Sequence, residues 1–281
     1  MRDLVRARPL ASIIIGLTLL VFYRFGFNRD VSRPTFPSIK DFKIEFSQKV
    51  DLLTVSGIVN NNHSVEKFPG FSTIRRIRFK RIGLPEGMFK LPAELEWLDF
   101  SDCLNMKNDF EIAIPPTVAT LSINRCSKWI NSISWQEIPR FQTIDISNSE
   151  FIGNAEHWVV KCDLLRSLRI SQGEIDADFL LAIKQLDIVN LTFDAIILSD
   201  KQFEILANDD SLLTLTVLLD REDQIEGITN LKSNSELTCL QVNFRPEMSY
   251  LSKELENCFA SSHVYLIQQE THYDSEVNLP R

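Results

Sequence analysis

Residues Leu95-Glu96-Trp97-Leu98-Asp99-Phe100-Ser101-Asp102-Cys103 read apolar-x-x-apolar-x-apolar, with a strict two-residue alternation at Leu98 and Phe100. That alternation is what a half-buried strand requires, because successive side chains point to opposite faces. The same template occurs upstream at Val50/Leu53/Val55 and Ile74/Ile77/Phe79. Downstream it occurs at Val118/Leu121/Ile123, Phe141/Ile144/Ile146, Leu165/Leu168/Ile170, Leu186/Val189/Leu191, Leu212/Leu215/Val217 and Leu237/Leu240/Val242. A degraded tenth copy reads Ser261/Val264/Leu266, and successive copies start 21 to 26 residues apart. A strand this short cannot bury its apolar face alone. Copies stacked side by side build one continuous core.

The pattern resembles the leucine-rich repeat over roughly residues 50–270. Ile74, Ile77, Phe79, Ile82 and Leu84 fit the apolar positions of that repeat through the eleventh, and Cys103 and Cys126 fall at its ninth. Later copies carry Ser149, Gly173, Asp194, Asp220, Arg245 and Gln269 at the ninth position, and none carries Asn. The resemblance implies an α/β solenoid, with a curved parallel sheet on the concave side and helices or loops on the convex side. It also implies protein binding through the concave face.

The segments between triplets change character along the chain. Ser199 to Gln202 is a capping-box pattern ahead of Phe203, Ile205 and Leu206. Asp176 to Ile183 and Glu247 to Phe259 also have helical spacing. Earlier copies place Pro115, Pro116 and Pro139 before the strand, which predicts irregular or short 3₁₀ return arms.

At the N-terminus, Pro9 to Tyr23 is a run of 15 uncharged residues, reaching 19 at Phe27 if Arg24 snorkels outward. Arg2, Arg6 and Arg8 precede it, and no small-x-small cleavage site follows Tyr23. The reading is an uncleaved signal-anchor or transmembrane segment at 1–27, a tether at 28–45 and the repeat unit at 46–281. A cleaved signal peptide and a buried soluble helix are the alternatives. The flanking charges are nearly balanced. A short N-tail before a first apolar segment usually stays cytoplasmic, so the solenoid is expected on the non-cytoplasmic side of a single-pass membrane protein.

The whole chain has 281 residues, 44% apolar and 24% charged, with 9 Gly and 11 Pro, which excludes collagen-like, low-complexity and wholly disordered classes. Its net charge of −8 divides unevenly: residues 1–90 sum to +9 and residues 91–281 to −17. His63, His157, His263 and His272 have no metal-ligand spacing with Cys or carboxylates. Nucleophile-elbow, phosphate-loop and dinucleotide motifs are missing from the sequence. No enzyme, metal or cofactor is therefore expected. Cys103 and Cys126, 23 residues apart at one repeat position, read as stacked buried residues, with a redox or metal pair as the alternative.

The outward strand positions carry the candidate binding residues: Arg76, Arg78, Lys80, Trp97, Asp99, Asp145, Arg169 and Asn190. Ser167, Ser171, Ile188 and Thr192 are expected on the same face. Trp97 is the expected interface anchor, since Trp is enriched in binding hot spots. Arg75, Arg76, Arg78, Lys80 and Arg81 place five cations in seven residues, which suits an anionic surface near the anchor. Nucleic acid is disfavoured by the acidic remainder of the chain. The expected function is a non-catalytic, membrane-anchored module binding a protein partner. A structural envelope protein without a specific ligand is the alternative.

Overall fold

A computed structural model describes residues 43–47, 52–58, 71–83, 89–103, 112–126, 140–151 and 154–271. The chain divides into two compact units, 1–39 and 40–281, and every described residue lies in the second. The expected anchor at 1–27 and most of the tether fall outside the described residues. Among the described residues no helix is long and apolar enough to cross a membrane.

The second unit is α/β. Its strands are β1 (Lys43–Ser47), β2 (Leu52–Ile58), β3 (Arg76–Gly83), β4 (Phe89–Lys90), β5 (Trp97–Ser101), β6 (Ile112–Ala113), β7 (Thr120–Asn124) and β8 (Thr143–Phe151). They continue with β9 (Ser167–Gly173), β10 (Asn190–Phe193), β11 (Thr214–Leu219), β12 (Cys239–Phe244) and β13 (Tyr265–Glu270). Eleven strands form one open sheet in the order β1-β2-β3-β5-β7-β8-β9-β10-β11-β12-β13, and β4 pairs with β6 apart from it. The β1–β2 pair is antiparallel, and every later pair in the large sheet is parallel. One strand per 21 to 26 residues, each added beside the last, is compatible with a solenoid-like arrangement.

The register explains the core. Leu53, Ile77, Leu98, Leu121, Ile144, Leu168, Leu191, Leu215, Leu240 and Leu266 stand side by side across ten strands. From Leu53 to Leu240 each is at most 1% exposed. Two residues on, Val55, Phe79, Phe100, Ile123, Ile146, Ile170, Phe193, Val217 and Val242 form a second buried row. Burial of each such side chain stabilises the fold by about 1.5–3 kcal/mol. Phe79 stacks on Phe100 in that row, with ring centres 5.3 Å apart.

Two triplets differ from the sequence expectation. Leu191 pairs with Leu168, so the seventh copy is Ile188/Leu191/Phe193 and not Leu186/Val189/Leu191. Ile188, expected on the open face, is 2% exposed and belongs to the core. Apolar residues at 186, 188, 189, 191 and 193 satisfy both frames, and the backbone ladder selects one. The tenth copy shifts likewise, because Leu266 pairs with Leu240 and Gln268 with Val242.

The strand exits repeat a backbone device. Gly57, Arg81, Asp102, Arg125 and Asn148, all at the eighth repeat position, have φ of 94°, 51°, 58°, 54° and 50°. After Asp102, Arg125 and Asn148 this left-handed step turns the chain so that the ninth residue, Cys103, Cys126 or Ser149, enters the core. There the Cys103 N–H donates to Cys126 Sγ at 3.2 Å, and the Cys126 N–H donates to Ser149 Oγ at 2.9 Å. Each side chain thus satisfies the buried turn of the preceding strand. At the next strand the device changes: Gly173 takes φ 120°, and a Cβ there would lie 2.3 Å from the Phe151 carbonyl oxygen.

Helices return the chain on the other side of the sheet. They are α1 (Asn154–Val159), α2 (Ala177–Lys184), α3 (Asp200–Ala207), α4 (Gln224–Asn230) and α5 (Ser252–Phe259). Asp176 Oδ1 accepts the Phe179 N–H at 2.6 Å and opens α2. The Ser199 N–H donates to Gln202 Oε1 at 2.7 Å, the reaching-back half of a capping box, and opens α3. Buried Gln202 also donates to the Ile175 carbonyl at 2.6 Å, and buried Gln224 to the Leu198 carbonyl at 3.3 Å. Each Gln therefore ties its own arm to the preceding one. The helical spacing over 247–259 resolves into a 3₁₀ turn, Pro246–Leu251, followed by α5.

Candidate functional site

The outward positions of the strands form three rows. The first runs Leu52, Arg76, Trp97, Thr120, Thr143, Ser167, Asn190. The second runs Thr54, Arg78, Asp99, Ser122, Asp145, Arg169, Thr192. Lys80, Ser101, Asn124 and Ser147 continue the third. All eight expected binding residues therefore lie on one face, but they do not form one cluster. Ser171, Thr216, Leu218 and Asn243 are buried, whereas on the last strand Tyr265 and Ile267, in register with Cys239 and Gln241, are exposed.

At β3 and β5 the charges are partly paired. Arg78 Nε donates to Asp99 Oδ2 at 2.7 Å, and Ser101 Oγ donates to the other carboxylate oxygen at 2.6 Å. Asp99 is consequently 3% exposed, buried under its partners and not free for a ligand. The Arg78 guanidinium carbon also lies 5.5 Å from the Trp97 ring centre, in cation–π contact. Arg75 pairs with Glu96 at 3.4 Å and Arg81 with Asp102 at 3.8 Å. The five-cation cluster is thus reduced: among the described residues, Arg76 and Lys80 are its two members without a carboxylate partner.

A shallow depression of about 650 Å³ opens beside this network. Leu52, Arg76, Arg78, Glu96, Trp97, Ala119 and Thr120 line it. Trp97 is half-buried, with the Arg78 guanidinium over its ring, and it lines the depression. Cations, an aromatic wall and small floor residues favour a partner with an apolar side chain and an adjoining anionic group.

The middle of the face is different. Asp145 Oδ1 accepts from Ser147 Oγ, and Asp145 has no cation partner among the described residues. Arg169, its register neighbour, turns instead to Asp194 at 2.7 Å. Asn190 is exposed in the first row, which continues through Thr214, Cys239 and Tyr265, and is separated from Trp97 by three intervening strands. Asp194, Asp102 and Arg125 were not among the expected site residues; Asp102 lies between Arg125, whose Nε is 2.5 Å away, and Arg81, which was expected only as a member of the cationic cluster. Opposite charges recurring 21 to 25 residues apart were their sequence signal.

Among the described residues no group of three His, Cys, Asp or Glu is arranged to hold a metal. Cys103 and Cys126 serve as the stacked buried residues described above. Burial pushes the Cys162 thiol up to about 12, and the hydrogen bond with Cys103 together with burial also raises Cys126. Such thiols stay protonated and are poor nucleophiles. His157 is exposed, and the ring Nε2 of His263 lies 2.9 Å from the Asn234 carbonyl oxygen.

No protein-family model and no curated protein matches this chain. The functional reading therefore rests on the face itself.

Proposed function

We propose that the chain is a leucine-rich-repeat solenoid acting as a non-catalytic protein-interaction module. In this reading residues 9–27 anchor it in a membrane as a single pass, and the repeat unit lies on the non-cytoplasmic side. The partner docks on the open sheet face. The observation carrying the proposal is the depression at Trp97, an aromatic hollow with Arg76 beside it, which has no carboxylate partner among the described residues. Regular burial of the opposite face supports it, because the core and the docking surface then use alternate residues of the same strands.

The test is capture of a partner from native membranes by the full chain under mild salt, compared with Trp97→Ala. Loss of a specific partner with Trp97→Ala, while the fold persists by circular dichroism, is the expected result. Equal capture by both proteins rejects the docking site. Membrane anchoring is tested separately. The full chain should resist high-salt and carbonate washing, and release by either wash contradicts the anchor.

A further inference from the structure

We infer that the open face is bipolar and takes an extended protein segment with a carboxylate at one end, an apolar side chain next, and a cation at the other end. The inference rests on the proposed docking role and names the chemistry of the partner.

Three groups carry it. Arg76 on β3 is exposed and has no carboxylate partner among the described residues. Trp97 stands beside it on β5, in register, and walls the depression. Asp145 on β8 is half-buried, bonded to Ser147, and has no cation partner among the described residues. The neighbouring charges that would otherwise neutralise these groups are engaged elsewhere. Arg78 is held by Asp99, Arg75 by Glu96 and Arg169 by Asp194. Among the described residues Arg76 and Lys80 are thus the cations of β3 without a carboxylate partner, and of the two only Arg76 lines the hollow; Asp145, without a cation partner, lies apart from it on the same face.

Their separation matches an extended chain. Arg76 and Asp145 are three strands apart and one row apart in the register. At about 4.8 Å per strand and about 3.4 Å per residue, that offset is roughly 16 Å. An extended segment covers it in four to five residues at about 3.3–3.6 Å each. Side chains at the first, third and fifth positions of such a segment point to the same side. The first would pair with Arg76, the third would enter the hollow at Trp97, and the fifth would reach Asp145. Between them the face offers Thr120, Ser122 and Thr143, which are small enough to admit a backbone.

The probes are three acetylated and amidated pentapeptides, Glu-Ser-Leu-Ser-Lys, Glu-Ser-Leu-Ser-Glu and Lys-Ser-Leu-Ser-Lys. Binding to the immobilised full chain in neutral detergent is measured at low salt, up to about 10 mM peptide. The bipolar probe should bind at least about fivefold more tightly than either like-charged probe. Asp145→Lys should move the preference to the doubly acidic probe, and Arg76→Glu to the doubly basic one. Trp97→Ala should weaken all three together. Circular dichroism confirms that each variant keeps its fold, and the exposed side chain of Arg76 makes that variant the safer of the two charge changes. A ranking unchanged by both charge substitutions overturns the inference, as does absence of binding at the highest concentration. If Trp97→Ala still abolishes partner capture in that case, the docking role stands and only the bipolar assignment fails.

Discussion

Arg78 Nε lies 2.7 Å from Asp99 Oδ2, across two neighbouring parallel strands and 21 residues apart in sequence. The Asp99 side chain is 4% exposed and the Arg78 side chain 38%, so a part-open cation shields a buried anion. Trp97 is held beneath the same guanidinium. The two charges that the sequence offers as ligand contacts thus position the aromatic wall of the hollow.

Arg78→Ala leaves the Asp99 carboxylate without its cation. Breaking a fully buried pair costs about 3–5 kcal/mol, and water entering the half-open Arg78 site reduces this to about 2–3 kcal/mol. Urea unfolding measures it. Asp99→Asn, which removes the charge together with the need for a cation, should cost less. The reverse order would contradict the assigned roles.

Ser149→Ala removes the acceptor of the buried Cys126 N–H. An unsatisfied buried donor costs about 1–3 kcal/mol. Cys126→Ser keeps an acceptor of similar size for the Cys103 N–H, so it should be milder than Cys126→Ala. Equal melting of the Ser and Ala variants would show that the stacked residues contribute only packing.

Gly173 sits at φ 120° with the Phe151 backbone against its Cα. Gly173→Ala combines a disfavoured backbone conformation with a Cβ placed 2.3 Å from a carbonyl oxygen, so β8 and β9 must separate. A loss above about 2 kcal/mol is expected in denaturant unfolding. A neutral result would mean that the strand exit relaxes freely.

Leu168→Ala should cost about 2–5 kcal/mol, as for other large-to-small changes in a packed core. Ser167→Ala, one residue away on the open face, should change stability by less than about 0.5 kcal/mol. Comparable costs would contradict the register.

The buried thiols give stability a dependence on high pH. Cys162 is raised from 9.0 to about 12 by burial, with the Asp163 charge adding to it. Below pH 9 the thiol is protonated in both folded and unfolded chains, and its contribution is fully present. As pH rises from 9 toward 12 the unfolded chain loses the proton while the folded chain keeps it. Stability then falls by up to about 1.4 kcal/mol per pH unit for each such thiol. Cys126 is raised in the same direction and adds to the loss. Urea midpoints at pH 8 and pH 10.5 should differ more for the native protein than for Cys162→Ala.

The strand rows were legible because Leu98 and Phe100, or Ile144 and Ile146, alternate with polar residues at the period of a strand. The frame of the seventh copy was not, since Leu186, Ile188, Val189, Leu191 and Phe193 fit two registers and only the hydrogen-bond ladder decides between them. The left-handed exits were hidden by side-chain type. Arg81 and Arg125 have no preference for positive φ, yet both adopt it, Arg125 where Cys126 must enter the core. On the open face the candidates were identified, but their partners were not. Arg78 with Asp99 and Arg169 with Asp194 join neighbouring strands, and pairing across strands depends on which side chain reaches which. Period alone does not encode that reach.

Position-resolved photo-crosslinking on native membranes tests the central claim most directly. A crosslinking residue is placed singly at Thr120, Ser122 and Thr143 on the open face, and at Lys201 and Glu204 on the exposed side of α3. The account predicts a discrete protein adduct from the open-face positions alone, competed away by excess unlabelled full chain and lost when Trp97→Ala is added. Adducts of equal yield from both sets of positions, or adducts from α3 alone, would contradict a partner docked on the open sheet face.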